Sequence, residues 1–237
     1  MNFPPAYPHD PIEAIDDDLF MARGSIRMNA LGRISRNMAI VRHRGELTLV
    51  NPIRLDAAGE TQLKALGDVT RIMRLGSMHG VDDPYYVSEF DAELWAQAGG
   101  TTYPNPDIDR ELSANMELPF PDARLFCFET TTQPESALLI SRKGGILLTC
   151  DGIQHYGDYS NNTLIPRLLM PFIGFPRTTL IGPIWLKMLT PEGESLRGDF
   201  ERLLELDFDA LLSAHGSLLR SGAHEAVAQA VARAFDS

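Results

Sequence analysis

Apolar and polar positions follow two different periods along this chain, and each change of period marks an element. Met38-Ala39-Ile40-Val41-Arg42-His43 and Glu46-Leu47-Thr48-Leu49-Val50-Asn51 are apolar runs separated by Arg44-Gly45, the spacing of two strands joined by a tight turn. Residues 56–66 shift to helical spacing, with Asp56 as N-cap, Leu63 and Leu66 on one face and Gly67 as the stop. Residues 69–75 return to a short strand that runs into Gly76-Ser77-Met78-His79-Gly80-Val81-Asp82-Asp83. Residues 91–98 read as a short helix ending at Gly99-Gly100, and 101–119 as mostly loop. Three more strands are predicted at 124–128, 136–141 and 146–150, the last two joined by a hairpin at Arg142-Lys143-Gly144-Gly145. Residues 194–206 carry Leu196, Phe200, Leu203 and Leu204 at helical spacing. Residues 209–214 form a strand leading into His215-Gly216, and 224–235 a closing helix with Val227, Val231 and Phe235 four apart.

Strands in two blocks separated by helices, rather than strict strand–helix alternation, predict two packed sheets and an α+β fold. The 237 residues, 44% hydrophobic, suit a single domain with a full core. Residues 1–22, rich in proline and acid, are expected to form an arm that stays mobile or docks on a neighbour, with 23–237 as the domain proper. The net charge of −11 excludes a non-specific binder of nucleic-acid phosphates. Two cysteines, Cys127 and Cys150, exclude a disulfide framework and make a reducing cytoplasm the expected compartment. The start of the chain lacks a signal-peptide pattern. The longest apolar stretch, 164–185, is interrupted by Pro166, Pro171, Pro176 and Pro183, so no membrane partner is expected. It reads as short buried helices and loops, or a lid.

Three positions repeat one theme, a metal-competent residue directly after an apolar strand. They are His79 with Asp82 and Asp83, Asp151 after Ile146-Leu147-Leu148-Thr149-Cys150, and His215 after Leu211-Leu212-Ser213-Ala214. Strand ends converge at one edge of a sheet, and imidazole nitrogen with carboxylate oxygen suits zinc, iron or manganese. No Gly-x-Ser-x-Gly elbow, phosphate-binding loop or dinucleotide fingerprint is present.

The order of these residues resembles the metallo-β-lactamase superfamily over roughly residues 26–236. The matching segments are Leu147-Leu148-Thr149-Cys150-Asp151-Gly152 and Asp209-Ala210-Leu211-Leu212-Ser213-Ala214-His215-Gly216-Ser217, followed by a closing helix. Asn37-Met38-Ala39-Ile40-Val41 and Gly45-Glu46-Leu47-Thr48-Leu49-Val50-Asn51-Pro52-Ile53 fit its opening. The resemblance implies an αββα sandwich with a metal site built at strand ends. This chain departs from the family's first motif, His-x-His-x-Asp-His: with His79 on the first His, Val81 stands at the second, Asp83 at the Asp and Pro84 at the last His. Thr132 stands where a third His belongs. The resemblance therefore implies an incomplete site, with His79, Asp83, Asp151 and His215 as metal ligands and one divalent ion or none. Asp82 or Asp83 is expected to orient the nucleophile, and His155 to support a metal ligand or transfer protons. Two functions follow: a metallo-hydrolase for a small ester, lactone or phosphoester, or a metal-free binding scaffold on the same fold. The segments 80–119 and 156–191, rich in aromatic residues, are expected to line a hydrophobic pocket or lid for a small molecule, or else to cover the sheet edge or pair two copies as a homodimer.

Overall fold

The structure, a computed structural model, describes residues 3–29 and 32–236. The first two residues of the expected arm, residues 30 and 31, and Ser237 at the end of the expected domain lie outside the described residues. The first sheet holds seven strands in chain order: β1 (Glu13–Asp16), β2 (Leu19–Asn29), β3 (Gly32–His43), β4 (Glu46–Val50), β5 (Asp68–Arg74), β6 (Glu93–Ala96) and β7 (Arg110–Glu111). Pairing is antiparallel from β1 to β4 and parallel from β4 to β7. Parallel neighbours require a crossover, supplied by α1 (Ala57–Leu66) between β4 and β5, by α2 (Asp83–Phe90) between β5 and β6, and by the loop of residues 97–109 between β6 and β7. Asp56 caps α1 by accepting the Gly59 N–H at 2.9 Å. Arg44 and Gly45 both have positive φ, 54° and 85°, the geometry of a two-residue hairpin turn.

In the second sheet, β8 (Ala123–Cys127), β9 (Ser136–Ile140) and β10 (Ile146–Thr149) are antiparallel. A separate ribbon of β11 (Ile153–His155) and β12 (Thr179–Ile181) follows, and β13 (Ala210–Ser213) returns to pair parallel with β10. The remaining helices are α3 (Leu164–Leu169), α4 (Pro183–Leu189), α5 (Arg197–Leu203) and α6 (Ala223–Phe235).

Alternation along the strands sorts side chains into three buried layers. Ala39, Val41, Met73, Leu138, Ile140, Ile146 and Leu148 meet between the sheets. Met38, Ile40, Leu47, Leu49 and Ile72 face the other way, onto Leu63 of α1 and Tyr85 and Tyr86 of α2. Leu139, Leu147 and Leu211 pack against Trp185 of α4, Phe200 of α5 and Val227 of α6. The order is helices, sheet, sheet, helices, as predicted.

Three sequence expectations change. The boundary placed at residue 22 falls inside β2, because Leu19 and Met21 are buried between the sheets and Ser25 donates its hydroxyl to the Pro8 carbonyl at 2.9 Å. Residues 91–98 are not helical. Trp95 points between the sheets while Leu94 and Ala96 face the α1–α2 layer, a period of two that makes β6 a strand. The helix lies earlier, at α2, with Pro84 in its first turn and Asp91 in the left-handed region at its end. The segment 164–185 is buried only in part: Met170, Phe175 and Trp185 are covered, whereas Leu164, Leu168, Phe172 and Ile173 stand in solvent.

Candidate metal centre

Thr149 of β10 pairs with Ser213 of β13 in parallel register, so Asp151 and His215, each two residues further on, emerge at the same level. The Ala214 N–H donates to the Thr149 carbonyl at 3.0 Å and keeps the two strand ends together. His79 arrives from β5 in the other sheet. Its loop is tied across by Ser77 N–H to the Pro134 carbonyl, 3.0 Å, and by Ser136 N–H to the Leu75 carbonyl, 2.8 Å. Asn51 stitches the same edge, donating to the Thr149 carbonyl and accepting from the Leu75 N–H.

The three side chains converge. His79 Nε2 lies 3.1 Å from His215 Nε2 and 3.2 Å from Asp151 Oδ2, and His215 Nε2 lies 3.1 Å from Asp151 Oδ1. All three residues are buried. His215 Nδ1 is 2.7 Å from the Ser35 carbonyl. A carbonyl only accepts, so Nδ1 carries a hydrogen, and Nε2 is the nitrogen that faces a carboxylate oxygen and the second imidazole. His79 Nδ1 has no hydrogen-bond partner, so Nε2 is the atom through which that ring meets the other two. Donor atoms spaced this closely suit common ligation to one ion about 2.0–2.2 Å from each.

Burial pushes the His79 imidazolium down to about 4, with the Arg36 guanidinium adding to that and Asp151 opposing it. His79 is therefore neutral at pH 7 and free to ligate. Burial works against ionised Asp151, but the two imidazoles outweigh it and hold its carboxyl well below the usual range.

Asp83 and His155, expected in the site, stand apart from this cluster. Asp83 opens α2 and its carboxyl lies 3.2 Å from the Arg74 guanidinium, fully buried. Burial raises it to about 7 despite Arg74 and Arg36. The His155 ring meets Thr179 Oγ1 at 2.9 Å. What His155 gives the site is its backbone: its carbonyl accepts the Ser217 N–H at 2.8 Å beside the His215 turn. Gly216 in that turn has φ 81°, and a Cβ there would run into the His155 carbonyl. Thr132 lies at α4, its N–H on the Leu189 carbonyl.

Other supporting residues went unread in the sequence. Arg36, buried in β3, donates to the His79 carbonyl at 2.8 Å, and the Ser35 hydroxyl accepts the Gly216 N–H at 2.8 Å. Glu135, buried, accepts the Gly152 N–H at 2.9 Å next to Asp151; burial and the Asp151 charge push its carboxyl well up. The signal available for Glu135 was a charge bordering an apolar strand, whereas Arg36 stands among Arg33, Ser35 and Asn37, where no such contrast marks it. The aromatic residues expected to line a pocket, among them Tyr85, Tyr86, Trp95, Tyr156 and Trp185, are mostly core. A cleft of about 520 Å³ opens beside the His215 turn, lined by Arg23, Asp158, Ser217 and Leu218 among others.

No protein family and no curated protein matches this chain by sequence. Solved structures do match by fold. DIM-1 metallo-β-lactamase exposed to ceftazidime is 13% identical, with a TM-score of 0.66 over 97% of this chain and 100% of that one. The metallo-β-lactamase FIM-1 from Pseudomonas aeruginosa in its mono-zinc form is 14% identical, with a TM-score of 0.64 over 98% of each chain. A flavo di-iron protein from Thermotoga maritima is 17% identical, with a TM-score of 0.64 over 96% of this chain and 61% of that one. Two mixed sheets packed face to face between helices, with a His, Asp and His at their common edge, thus give this chain the metallo-β-lactamase-superfamily fold.

Proposed function

We propose that His79, Asp151 and His215 hold one divalent metal ion and that the protein hydrolyses a small ester, lactone or phosphoester. The observation that carries this reading is the convergence of three buried donor groups, His79 Nε2, His215 Nε2 and the Asp151 carboxylate, each 3.1–3.2 Å from the next. One cation can be shared by all three. Zinc, iron and manganese all accept such a donor set, and three protein ligands leave a position open. When bound, the ion supplies a Lewis acid for a carbonyl or phosphoryl oxygen and lowers the pKa of a water it holds toward 7.

The chain's own groups prepare that chemistry. The Ser35 carbonyl fixes the tautomer and ring plane of His215. Asp151, ionised between the two rings, balances part of the charge. Arg36 holds the His79 carbonyl, and so the loop that carries the ring.

The test is turnover of p-nitrophenyl acetate, γ-butyrolactone and bis(p-nitrophenyl) phosphate by the metal-loaded protein. Turnover of at least one, falling to background with chelator and in Asp151→Ala, is expected. Turnover that survives both, or none with any of the three, contradicts the hydrolase reading. A metal-free scaffold is the second reading, favoured by Asp83 and Thr132 standing away from the cluster. It requires Asp151→Ala and His215→Ala to leave melting temperature and metal content alike unchanged.

A further inference from the structure

Large apolar side chains left in solvent are concentrated, among the described residues, in one stretch of this protein. Leu164, Leu168, Phe172 and Ile173, on α3 and the turn after it, are 70, 60, 86 and 59% exposed. Ile184 and Met188 of α4 continue the surface, since Gly174 lies against Pro183 at the start of that helix. The stretch is firmly based. Tyr156, Tyr159, Met170 and Phe175 form a small core beneath it, and the Asn162 carboxamide accepts the Ser35 N–H at 2.6 Å. An apolar face held up on a packed base is built to be covered.

Charge decides by what. Residues 159–191 contain Arg167, Arg177 and Lys187 and no acid at all, in a chain with 32 acids and a net charge of −11. The neighbouring hairpin of β2 and β3, bonded to α3 through Arg33 and Thr163, also has no acid between Leu19 and Gly45. Met28 near its tip is 62% exposed. A second copy meeting this patch about a two-fold axis would set one acid-free, basic surface against another. The occupant that fits is apolar within and anionic at its surface, which describes a bilayer containing acidic lipids.

We propose that the 164–188 face docks peripherally on an anionic membrane. Leu168 and Phe172 enter the boundary of the acyl chains, while Arg167, Arg177 and Lys187 sit at the level of the phosphates. No described helix is long and apolar enough to cross the bilayer; the protein lies on it. This revises the expectation that membranes are not among its partners, and it is independent of whether the metal centre is catalytic.

Flotation of the whole chain with vesicles tests this directly, using phosphatidylcholine alone and phosphatidylcholine mixed with phosphatidylserine. The wild type is expected to float with the mixed vesicles, more weakly with the neutral ones, and less as salt rises. Arg167→Glu with Arg177→Glu should weaken binding by about fivefold or more per position, and Leu168→Ser with Phe172→Ser should abolish it. These residues are exposed, so unchanged circular dichroism and melting temperature will show that the fold is intact. Failure of the wild type to float with either vesicle overturns the proposal. So does a dimer in sedimentation velocity that the Leu168→Ser and Phe172→Ser pair splits, in the absence of flotation. Equal binding to both vesicles, untouched by the charge reversals, overturns the anionic component.

Discussion

At the scale of single residues, His215 shows how little is needed to make a metal-competent group. One backbone carbonyl, that of Ser35, takes an Nδ1 hydrogen and turns Nε2 toward Asp151 and His79. His79, Asp151 and His215 were legible in the sequence because each directly follows an apolar strand, and strand ends converge. Asp83 was misread for a physical reason: it sits four residues beyond His79, but it starts α2, and its carboxyl turns to Arg74. Glu135 and Arg36 escaped notice because their partners lie far away in sequence. Asp83 has its own titration. Burial raises its carboxyl to about 7, so the folded state holds that proton more tightly than the unfolded chain. Its stabilising contribution is full below pH 3.8 and is lost as pH rises through 7. His79, depressed to about 4, has the opposite slope: its contribution is present above pH 6.5 and is lost as pH falls through 4. Comparing urea midpoints of the wild type and Asp83→Asn isolates the first effect. The wild type should lose up to about 4 kcal/mol relative to the variant between pH 4 and 7; a constant difference would refute it.

At the scale of elements, the site depends on one register and one turn. The Thr149–Ser213 pairing sets Asp151 and His215 level, and the left-handed Gly216 lets the chain turn under the His155 carbonyl. Gly216→Ala is therefore expected to destabilise by about 1–3 kcal/mol and to weaken metal binding in step; a variant of wild-type stability and affinity would show that the turn tolerates a side chain. Removing the hydroxyl in Ser35→Ala leaves the backbone carbonyl but frees the Gly216 N–H. A loss of about 10–100-fold in metal affinity is expected by isothermal titration, and an unchanged affinity would argue against this support. Element type was readable wherever a run kept one period, as in β3, β4, β10 and α6. It failed at 91–98, where the composition favours a helix but the alternation of Leu94, Trp95 and Ala96 between two cores requires a strand. It also failed at 164–185, where apolar content was taken for burial.

At the scale of the molecule, two sheets contribute one ligand and two ligands respectively, so the centre bridges the sandwich. His79 belongs to the sheet that packs on α1 and α2; Asp151 and His215 belong to the sheet that packs on α4, α5 and α6. An ion bound there links the two halves in the folded state alone. At about 100 times its dissociation constant it should add about 2.7 kcal/mol, or about 5–10 °C in melting temperature for a chain of this length. The layers themselves were legible from alternation in the strands, whereas the joining of residues 13–22 to the sheet was hidden by the prolines and acids around them. Core packing predicts that Leu147→Ala, which empties a fully buried position under α4, α5 and α6, will cost about 2–5 kcal/mol in urea unfolding. A cost below about 1 kcal/mol would mean that the layer is loosely packed. The most direct test of the metal centre is metal content after equilibrium dialysis of chelator-stripped protein against zinc, iron(II) or manganese. About one equivalent of at least one ion in the wild type, and none in Asp151→Ala or His215→Ala, is the predicted result; a wild type that takes up none of the three, or variants that retain as much as it does, would contradict it.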